Sequence, residues 1–393
     1  MARNSVPPLR NSGKADSSSF RVTPLVRVFE RLSDWRSARG KVYSLVALLV
    51  TVMTGLLCGQ KGPTAIAQWV AGLPSAARAA MGLPSGRRPS AMTICRLLWH
   101  LKFEELESAL RRWVKEVNRE LARCGDKRRI ALDGKALRGA AKRGASSAYL
   151  LEAVGHQLKT VWGQVPVDSN TNEIAVVSQL LKLVVVEGHL ITGDALLTQR
   201  EIAREILQHK GDYLLVVKEN QPQLLEDIRI CFDSEPLPGE ERGMARTVSK
   251  GHGRLEVREI VTSAALKDFL ADWLGLEQVM QVTRTVTQIK TGQTTSEKIY
   301  AITSLPPERG SPALLLEAIR EHWTIESLHW IRDVTLGEDA CAVYKGRAPQ
   351  MLAAFRNAVI ALVRLKGYTC IAEALRHYAA QPRRAIRAVM QGL

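Results

Sequence analysis

Short apolar stretches alternate with helical stretches across residues 130–217, and this alternation constrains the fold more than any other feature of the chain. Strand-like segments occupy residues 130–132, 149–154, 161–167, 189–192 and 213–217. Between them, near 174–186 and 198–208, apolar residues recur every three or four positions, which is the period of a helix. Three strands followed by alternating helices and strands predict a mixed α/β sheet.

Helical patterns precede this region. Residues 26–125 read as short helices joined by Gly and Pro turns, which predict a helical N-terminal domain. The most apolar run, from Val42 to Cys58, is shorter than a bilayer span and contains polar residues, so we expect a buried core helix. Residues 1–25 lack hydrophobic periodicity and are expected to form a flexible basic arm.

The second half of the chain divides in the same way. Residues 245–304 alternate Val, Thr and Ile with polar residues and predict a β-rich insertion within a central region of 126–350. Ser311 followed by Pro312 predicts the start of a long helix that carries the segment EAIREHWTIESLHWIRDV. Residues 351–393 predict a basic helical C-terminal segment.

Charge favours a polyanionic partner. The 55 Lys and Arg residues outnumber the 39 Asp and Glu residues, which gives a net charge of +16. Nucleic acid is the first interpretation, an anionic membrane surface the second, and a solvated basic surface the third. Basic clusters at 127–129 and 142–143, and at Arg383, Arg384 and Arg387, would supply salt-sensitive affinity.

Several protein classes are disfavoured. The 6 cysteines lie far apart without a C-x-x-C pair, so neither a zinc finger nor a disulfide scaffold is expected. No G-x-G-x-x-G follows a candidate strand, and no P-loop motif is present, which disfavours a dinucleotide enzyme and an ATP-driven motor. Without a signal-peptide pattern, we expect a cytoplasmic protein that is not membrane-bound.

Three acids are candidates for chemistry because of their positions. Asp133 ends one apolar strand and Asp194 ends another, and ligand sites of α/β sheets lie beyond such strand ends. Glu326 lies in the predicted long helix, with His and Trp residues three and four positions away on the same face. The alternatives are a turn-former or helix cap for each Asp, and a Trp-rich core seam for the helix.

Short motifs in a fixed order resemble a DDE transposase of the ISAs1 family, also known through the H-repeat-associated proteins, within the wider IS4-like group. The resemblance covers about residues 30–365. The matching positions are Asp34, Arg36, Gly40, Tyr43, 132–135, Arg138, Gly139, 191–196, 211–214, Val217, Lys218, Asn220, Gln221, 252–254, Glu256, Arg258, His322, Trp323, Ile325, Glu326, 328–330, 332–334, Glu338, Asp339, Lys345, Gly346 and Pro349.

The resemblance implies an RNase H-like mixed-sheet core that cleaves terminal inverted repeats and transfers the strands to target DNA. It implies that Asp133, Asp194 and Glu326 are catalytic and hold two Mg²⁺ ions, with Mn²⁺ as a substitute. Nucleoid DNA and a homodimer or larger synaptic assembly are the implied partners. The residues implied as DNA contacts are Lys218, Arg254 and Trp323, with surface charge or core packing as their alternatives.

One spacing departs from the family pattern. Only Ser327 separates Glu326 from Leu328, one residue fewer than the commoner spacing, and one helical residue is a rotation of about 100°. The assignment of His329 therefore stays open, and Glu321 is the next candidate for the third acid. Two other functions stay open as well: a related nuclease without strand transfer, and a catalytically inactive DNA-binding relic or regulator.

Overall fold

The computed structural model describes residues 22–39, 41–122, 129–141, 149–156, 159–167, 173–251 and 253–391. These residues fall into two compact units, one drawn from 1–125, 137–145 and 331–393, and the other from 126–136 and 146–330. Most of the expected basic arm and the clusters at 127–128 and 142–143 lie outside the described residues.

The described residues form fifteen α-helices. They are α1 (Leu25–Phe29), α2 (Leu45–Leu57), α3 (Pro63–Gly72), α4 (Ser75–Ala80), α5 (Ala91–His100), α6 (Phe103–Ala122), α7 (Arg138–Ala141), α8 (Glu173–Leu183), α9 (Arg200–Gln208), α10 (Pro222–Asp233), α11 (Pro312–His322), α12 (Thr324–Trp330), α13 (Ala348–Leu365), α14 (Ile371–Ala380) and α15 (Pro382–Gln391). A 3₁₀ turn (Ala195–Leu197) and a π-helical turn (Ile331–Thr335) complete the helical elements.

Nine strands are also present in this part of the chain. They are β1 (Arg129–Ala136), β2 (Tyr149–Gly155), β3 (Thr160–Val167), β4 (Leu190–Gly193), β5 (Asp212–Val217), β6 (Gly243–Gly251), β7 (Arg254–Ser263), β8 (Gln278–Gln288) and β9 (Thr294–Thr303). The strands β1 to β5 and the helices α8 and α9 lie close to where the sequence pattern predicts them. The prediction that the first strand ends at Asp133 is wrong, because β1 continues through Asp133 to Ala136 in its pairing with β2.

Helices α2 and α13 form the centre of the first unit. The Ser44 hydroxyl accepts a hydrogen bond from the Ala47 amide at 3.1 Å and caps α2, which is buried on all sides. This confirms the prediction of a core helix in the run from Val42 to Cys58. Helix α13 is buried almost throughout and packs against α2 and α6, while α15 packs against α2. The C-terminal helices thus share the core of the N-terminal ones.

A buried ion cluster lies within this first unit. Glu338 Oε2 forms an ion pair with Arg332 Nη2 at 2.8 Å, and Glu338 Oε1 accepts a hydrogen bond from Arg356 Nη1 at 3.2 Å; all three side chains are almost fully buried. Arg356 also donates to the carbonyl of Lys61 at 3.2 Å, which links α13 to the loop before α3. Buried charges of this kind are tolerated only when each is paired, so the cluster specifies how these segments meet.

One nine-stranded mixed sheet organises the second unit. Its strand order is β3-β2-β1-β4-β5-β9-β8-β7-β6, with β1, β4 and β5 parallel to one another and the remaining neighbours antiparallel. The strands β8 and β9 form a hairpin, and Gly292 takes the positive φ of +70° that its turn requires. The β-rich segment therefore extends the central sheet through the pairing of β9 with β5.

Both faces of this sheet carry apolar clusters. On one face, Ile130, Leu132, Leu151, Ile191 and other residues pack against α8, α9 and α10. On the other face, alternate residues including Leu190, Leu214 and Val216 pack against α11. Because side chains alternate along a strand, the side of β1 opposite Leu132 carries the polar residues Asp133 and Lys135. These residues and their polar neighbours on β2 and β4 face the α11 side.

The prediction of one continuous helix from Ser311 onward is wrong in one respect. The Ser311 hydroxyl caps α11 as predicted, accepting from the Leu314 amide at 3.4 Å, but α11 ends at His322 and α12 begins at Thr324. The ring of Trp323 packs against the apolar cluster beside α11, where the guanidinium of Arg284 lies 5.6 Å from its centroid. The four His and Trp residues around Glu326 therefore do not share one uninterrupted helical face.

No helix in the described part of the chain is long and apolar enough to cross a bilayer.

The buried ion cluster predicts a large stability effect. We expect Glu338→Ala to lower the free energy of unfolding by about 3–5 kcal/mol, because it leaves two guanidinium groups buried without their shared carboxylate. The matched control, Glu308→Ala, removes an exposed carboxylate and should change the free energy by less than about 0.5 kcal/mol. Urea unfolding followed by circular dichroism measures both. Equal effects of the two substitutions would show that the cluster contributes nothing specific.

Candidate active site

Sheet register places Asp133 beside Asp194. Strand β1 pairs in parallel with β4, with Leu132 opposite Gly193, so the residue after each of these is an aspartate. Leu132 and Ile191 face the α8–α10 cluster, which directs Asp133 and Asp194 to the opposite face. The two acids that the sequence singles out separately are thus brought together on two adjacent strands, Asp133 within β1 and Asp194 directly after β4.

A third carboxylate belongs to the same row. On β2, Glu152 lies directly opposite Asp133 in the antiparallel pairing, and its side chain is wholly buried. Glu152 is not among the residues that the sequence pattern singled out. The available indication was an acid in the middle of the apolar strand YLLEAV, a position where a carboxylate is costly to bury unless it is paired.

Electrostatics distinguishes Asp133 from an ordinary surface acid. Burial raises the pKa of Asp133 to about 6, and the neighbouring carboxylates of Asp194 and Glu152 act in the same direction. The imidazole of His329 and the amide of Gly134, which donates to Asp133 Oδ1 at 2.7 Å, oppose this increase. Burial also raises the pKa of Asp194. Two partly desolvated, mutually repelling carboxylates favour an added cation.

His329 connects this row to helix α12. Its Nδ1 lies 3.6 Å from Asp133 Oδ2, and its Nε2 lies 3.4 Å from Glu152 Oε2. The side chain of His329 therefore lies between the two carboxylates. Although the departure in spacing left His329 unassigned, the structure places it at the candidate site.

Contacts between loops hold Asp194 in position. The Thr198 hydroxyl contacts the Asp194 carbonyl at 3.2 Å, and Gln221 Nε2 donates to the Thr198 carbonyl at 2.9 Å. Asn220 donates from its side chain to the carbonyl of Ala195. The ammonium of exposed Lys218 lies near enough to Asp194 to favour its charged form. These contacts explain locally why Lys218, Asn220 and Gln221 occur together after β5.

Glu326 stands apart from this row. It lies on α12 between buried Ile325 and buried Leu328, and its own side chain is exposed. Trp330, one turn later, is also exposed. Among the described residues, no group of three His, Cys, Asp or Glu side chains is close enough to hold a metal ion. The structure therefore brings Asp133 and Asp194 together without bringing Glu326 into contact with them.

A buried polar chain links α11 to strand β4. The Thr192 hydroxyl lies 2.8 Å from His322 Nδ1 and 3.0 Å from His156 Nε2. Since a hydroxyl has one proton, it donates to one imidazole and accepts from the other. Burial, together with the proximity of His156, lowers the pKa of His322 to about 4. Thr192 lies two residues before Asp194, so this chain anchors the strand that carries the second acid.

Glu321 and Arg129 extend the same series of buried polar contacts. His156 Nδ1 lies 3.6 Å from Glu321 Oε2, while Arg129 Nη1 donates to the same oxygen at 2.7 Å. Arg129 also contacts Glu317 at 3.2 Å and is itself buried. The expectation that Arg129 contributes, with the rest of the 127–129 cluster, to salt-sensitive affinity is therefore wrong for this residue, because its guanidinium is paired with two carboxylates. Glu321, the reserve candidate for the third acid, forms part of this ion pair.

Two other residues expected at the DNA lie elsewhere in the sheet region. Arg254 begins β7 at the tip of the β6–β7 hairpin and is exposed. Trp323 is partly buried between the apolar cluster and Arg284. Both residues are candidates for DNA contact rather than members of the carboxylate row.

Comparison with known families identifies the class of protein. The family model described as transposase DDE domain matches residues 125–362, and the model described as DDE_Tnp_1-associated matches residues 26–114. The first match covers more than half of the chain. The chain therefore belongs to the DDE transposase family, in its IS4-like group. Members of this family generally use divalent metal ions.

Individual relatives agree with this assignment. The candidate transposase YncI of Escherichia coli O157:H7 is 31% identical over 280 residues, which are 69% of this chain and 70% of YncI. The protein YbfL of Escherichia coli K12 is 32% identical over 252 residues, 62% of this chain and 65% of YbfL. The H repeat-associated candidate transposase YhhI of the same strain is 32% identical over 245 residues, 60% of this chain and 64% of YhhI. The match thus spans just under two thirds of YbfL and YhhI.

Among solved structures, the chain is similar to the piggyBac transposase in its synaptic complex with hairpin DNA. The TM-score is 0.43 at 13% sequence identity, over 92% of this chain and 76% of that chain.

The buried His322 predicts a pH-dependent stability. Its pKa of about 4 lies below the ordinary value of 6.5, so the unfolded chain binds the proton more tightly than the folded chain between these values. Stability from this group is therefore lost as the pH falls from about 6.5 towards 4, by about 3 kcal/mol. His322→Gln should reduce this loss. Urea unfolding of both proteins from pH 7.5 to 4.5 measures it, and parallel losses would contradict the burial argument.

Proposed function

We propose that the chain is a DNA transposase that cleaves the terminal inverted repeats of a mobile element and joins the ends to target DNA. The observation that carries the proposal is the pair Asp133, within β1, and Asp194, directly after the adjacent parallel strand β4, in a chain of the DDE transposase family. The proposed core is an RNase H-like domain at residues 126–350 that carries a β-rich insertion at 245–304. The proposal also includes the helical regions on either side of this domain.

The donor set fits divalent metal ions at the aspartate pair. Oxygen ligands suit Mg²⁺ and Mn²⁺, and the raised pKa of Asp133 and of Asp194 reflects burial that a cation would offset. We assign Asp133 and Asp194 as metal-holding residues and Glu326 as the third acid, in a site for two ions. When bound, such ions supply charge neutralisation to the attacking and leaving oxygens of a phosphodiester.

The proposed role of Glu326 requires movement of its helix or a change of side-chain rotamer. Its carboxylate is exposed on α12, and His329 from the same helix lies between Asp133 and Glu152. Because these two residues share α12, a shift that moves Glu326 towards the aspartates also moves His329 relative to Asp133. We propose that the closed site forms when DNA binds.

The chain's own cations support DNA binding in this proposal. Lys218 lies near Asp194 and is exposed, so it can contact a non-bridging phosphate oxygen beside the aspartate pair. Arg254 at the hairpin tip is proposed as a second phosphate contact, and Trp323 as a stacking surface for an unpaired base. We also propose that the chain acts as a homodimer or larger synaptic assembly on nucleoid DNA.

Cleavage and strand transfer test the proposal directly. The substrate is a duplex carrying the terminal inverted repeats of the element that encodes the chain, with Mg²⁺ or with EDTA. We expect Asp133→Asn, Asp194→Asn and Glu326→Gln each to reduce cleavage by about 10³-fold or more, because each removes a carboxylate needed in the transition state. Asp268→Asn removes an exposed carboxylate elsewhere in the sheet unit and should retain full activity.

Each other outcome identifies a different function. Cleavage without joined products would support a nuclease that lacks strand transfer. Specific DNA binding without cleavage by the wild-type chain would support an inactive regulator or relic. If cleavage survives Glu326→Gln but not the aspartate substitutions, the third acid is another residue, and Glu152 and Glu321 are then the carboxylates to replace.

Metal binding can be measured without DNA. We expect Mn²⁺ at about ten times its Kd to raise the midpoint of thermal unfolding by about 2–5 °C, since it binds only the folded chain. Because the pKa of Asp133 is about 6, protons compete with the ion and the increase should fade as the pH falls through about 6. Asp133→Asn should abolish the increase and Asp268→Asn should preserve it. An unchanged increase in Asp133→Asn would place the ion elsewhere.

A further inference from the structure

The C-terminal helices line an open cavity that the proposed catalytic role does not use. Its volume is about 470 Å³, within the range of roughly 300–1,000 Å³ that is typical of small-ligand sites. The end of α13, the turn that follows it, α14 and α15 supply its walls. Three cationic and three aromatic side chains line it: Lys366, Arg384, Arg387, Tyr368, His377 and Tyr378. No acidic residue of the described chain lines it.

The turn after α13 determines where the aromatic wall lies. Gly367 takes a φ of +81°, a conformation that favours glycine and reverses the chain after the helix. The Tyr368 amide then donates to the Val363 carbonyl at 3.2 Å, and Arg364 Nη1 donates to the Tyr368 carbonyl at 3.1 Å. These hydrogen bonds direct Tyr368 back towards α14.

The three aromatic rings contact one another. The ring centroid of Tyr368 lies 5.9 Å from that of His377 and 6.1 Å from that of Tyr378, and His377 and Tyr378 meet edge to face at 5.4 Å. Burial raises the pKa of Tyr378 to about 12, so its hydroxyl keeps its proton. The wall is therefore neutral at Tyr378, pre-formed and able to present a ring face to a planar ligand.

The cationic wall comes from α15 and the end of α13. Arg384 and Arg387 are three residues apart, so they share one face of α15, while Ala385, Ile386 and Val389 are buried on the other. Both arginines are exposed, whereas Lys366 is about half buried, and burial lowers its pKa. Positive charge on one side and aromatic rings on the other are the complement of a phosphate ester joined to a base.

We propose that this cavity binds an unpaired nucleotide of DNA, with its phosphate at Arg384 and Arg387 and its base against Tyr368 and His377. The inference rests on the proposed function, because it assumes that DNA is the partner. An unpaired nucleotide fits better than a paired one because only an unstacked base offers its face to an aromatic ring. A free nucleotide shares the same chemistry, so the test includes it.

Binding of fluorescein-labelled DNA measured by anisotropy tests this inference. The protein is the full chain carrying Asp133→Asn, so that cleavage does not interfere. The probes are a blunt duplex, the same duplex with a three-nucleotide unpaired tail, and dAMP as a competitor. We expect the tailed duplex to bind more tightly than the blunt one, and dAMP to compete only weakly because it lacks the flanking phosphates.

Substitutions separate stacking from charge. We expect Tyr368→Leu to weaken binding of the tailed duplex by about tenfold and to leave the blunt duplex unchanged, since it removes the stacking face. Tyr368→Phe keeps the ring and should restore the affinity. Arg387→Gln should weaken binding and reduce the slope of log K against log salt by about 1. Arg383→Gln removes the same charge from the same helix without lining the cavity, and should have a smaller effect.

Two results would overturn the inference. Equal effects of Arg383→Gln and Arg387→Gln would show a diffuse basic surface rather than a cavity site. Equal affinity for blunt and tailed duplexes, unchanged by Tyr368→Leu, would show that no base enters the cavity. Neither result depends on catalysis. If the wild-type chain cleaves no DNA but Tyr368→Leu still loses the tailed duplex selectively, the cavity inference stands and the transposase proposal fails.

Discussion

The alternation of side chains along strand β1 is the constraint on which the site depends. Ile130 and Leu132 anchor one face of β1 in the cluster beneath α8–α10, so Asp133 must point to the other face. A register shift of one residue would exchange these faces and bury Asp133 among apolar side chains. Because β2 and β4 pair with β1 in fixed register, Glu152 and Asp194 join Asp133 in a single row.

Buried polar contacts then hold the helices over this row. His329 lies between Asp133 and Glu152, and the chain from His322 through Thr192 ties the end of α11 to the strand that carries Asp194. Each buried polar group in such a chain is costly unless it is paired. The first unit uses the same principle at Glu338, where one carboxylate pairs with two buried guanidinium groups. Paired polar groups thus specify positions that apolar packing alone would leave degenerate.

Local sequence patterns predicted much of the secondary structure. The strands β1 to β5, the buried helix α2, the Ser311 cap and the hairpin at Gly292 each follow from short-range chemistry. The helix break at Trp323 was not predicted from the sequence; at this break the ring packs against a distant apolar cluster and Arg284, contacts that no local pattern contains. Glu152 was missed for a related reason: its importance arises from the strand opposite, which no local window contains.

The sequence by itself determined that the chain has a mixed α/β region, that two aspartates each follow a short apolar strand segment, and that the chain carries an excess of positive charge. These properties depend on residue type and on neighbours a few positions away. Only the tertiary structure decided that Glu152 and His329 lie beside Asp133 and that Arg129 forms a buried ion pair. It also decided that Tyr368 and Arg387 line the same cavity. Such arrangements depend on long-range pairing and packing, which bring together residues that are distant along the chain.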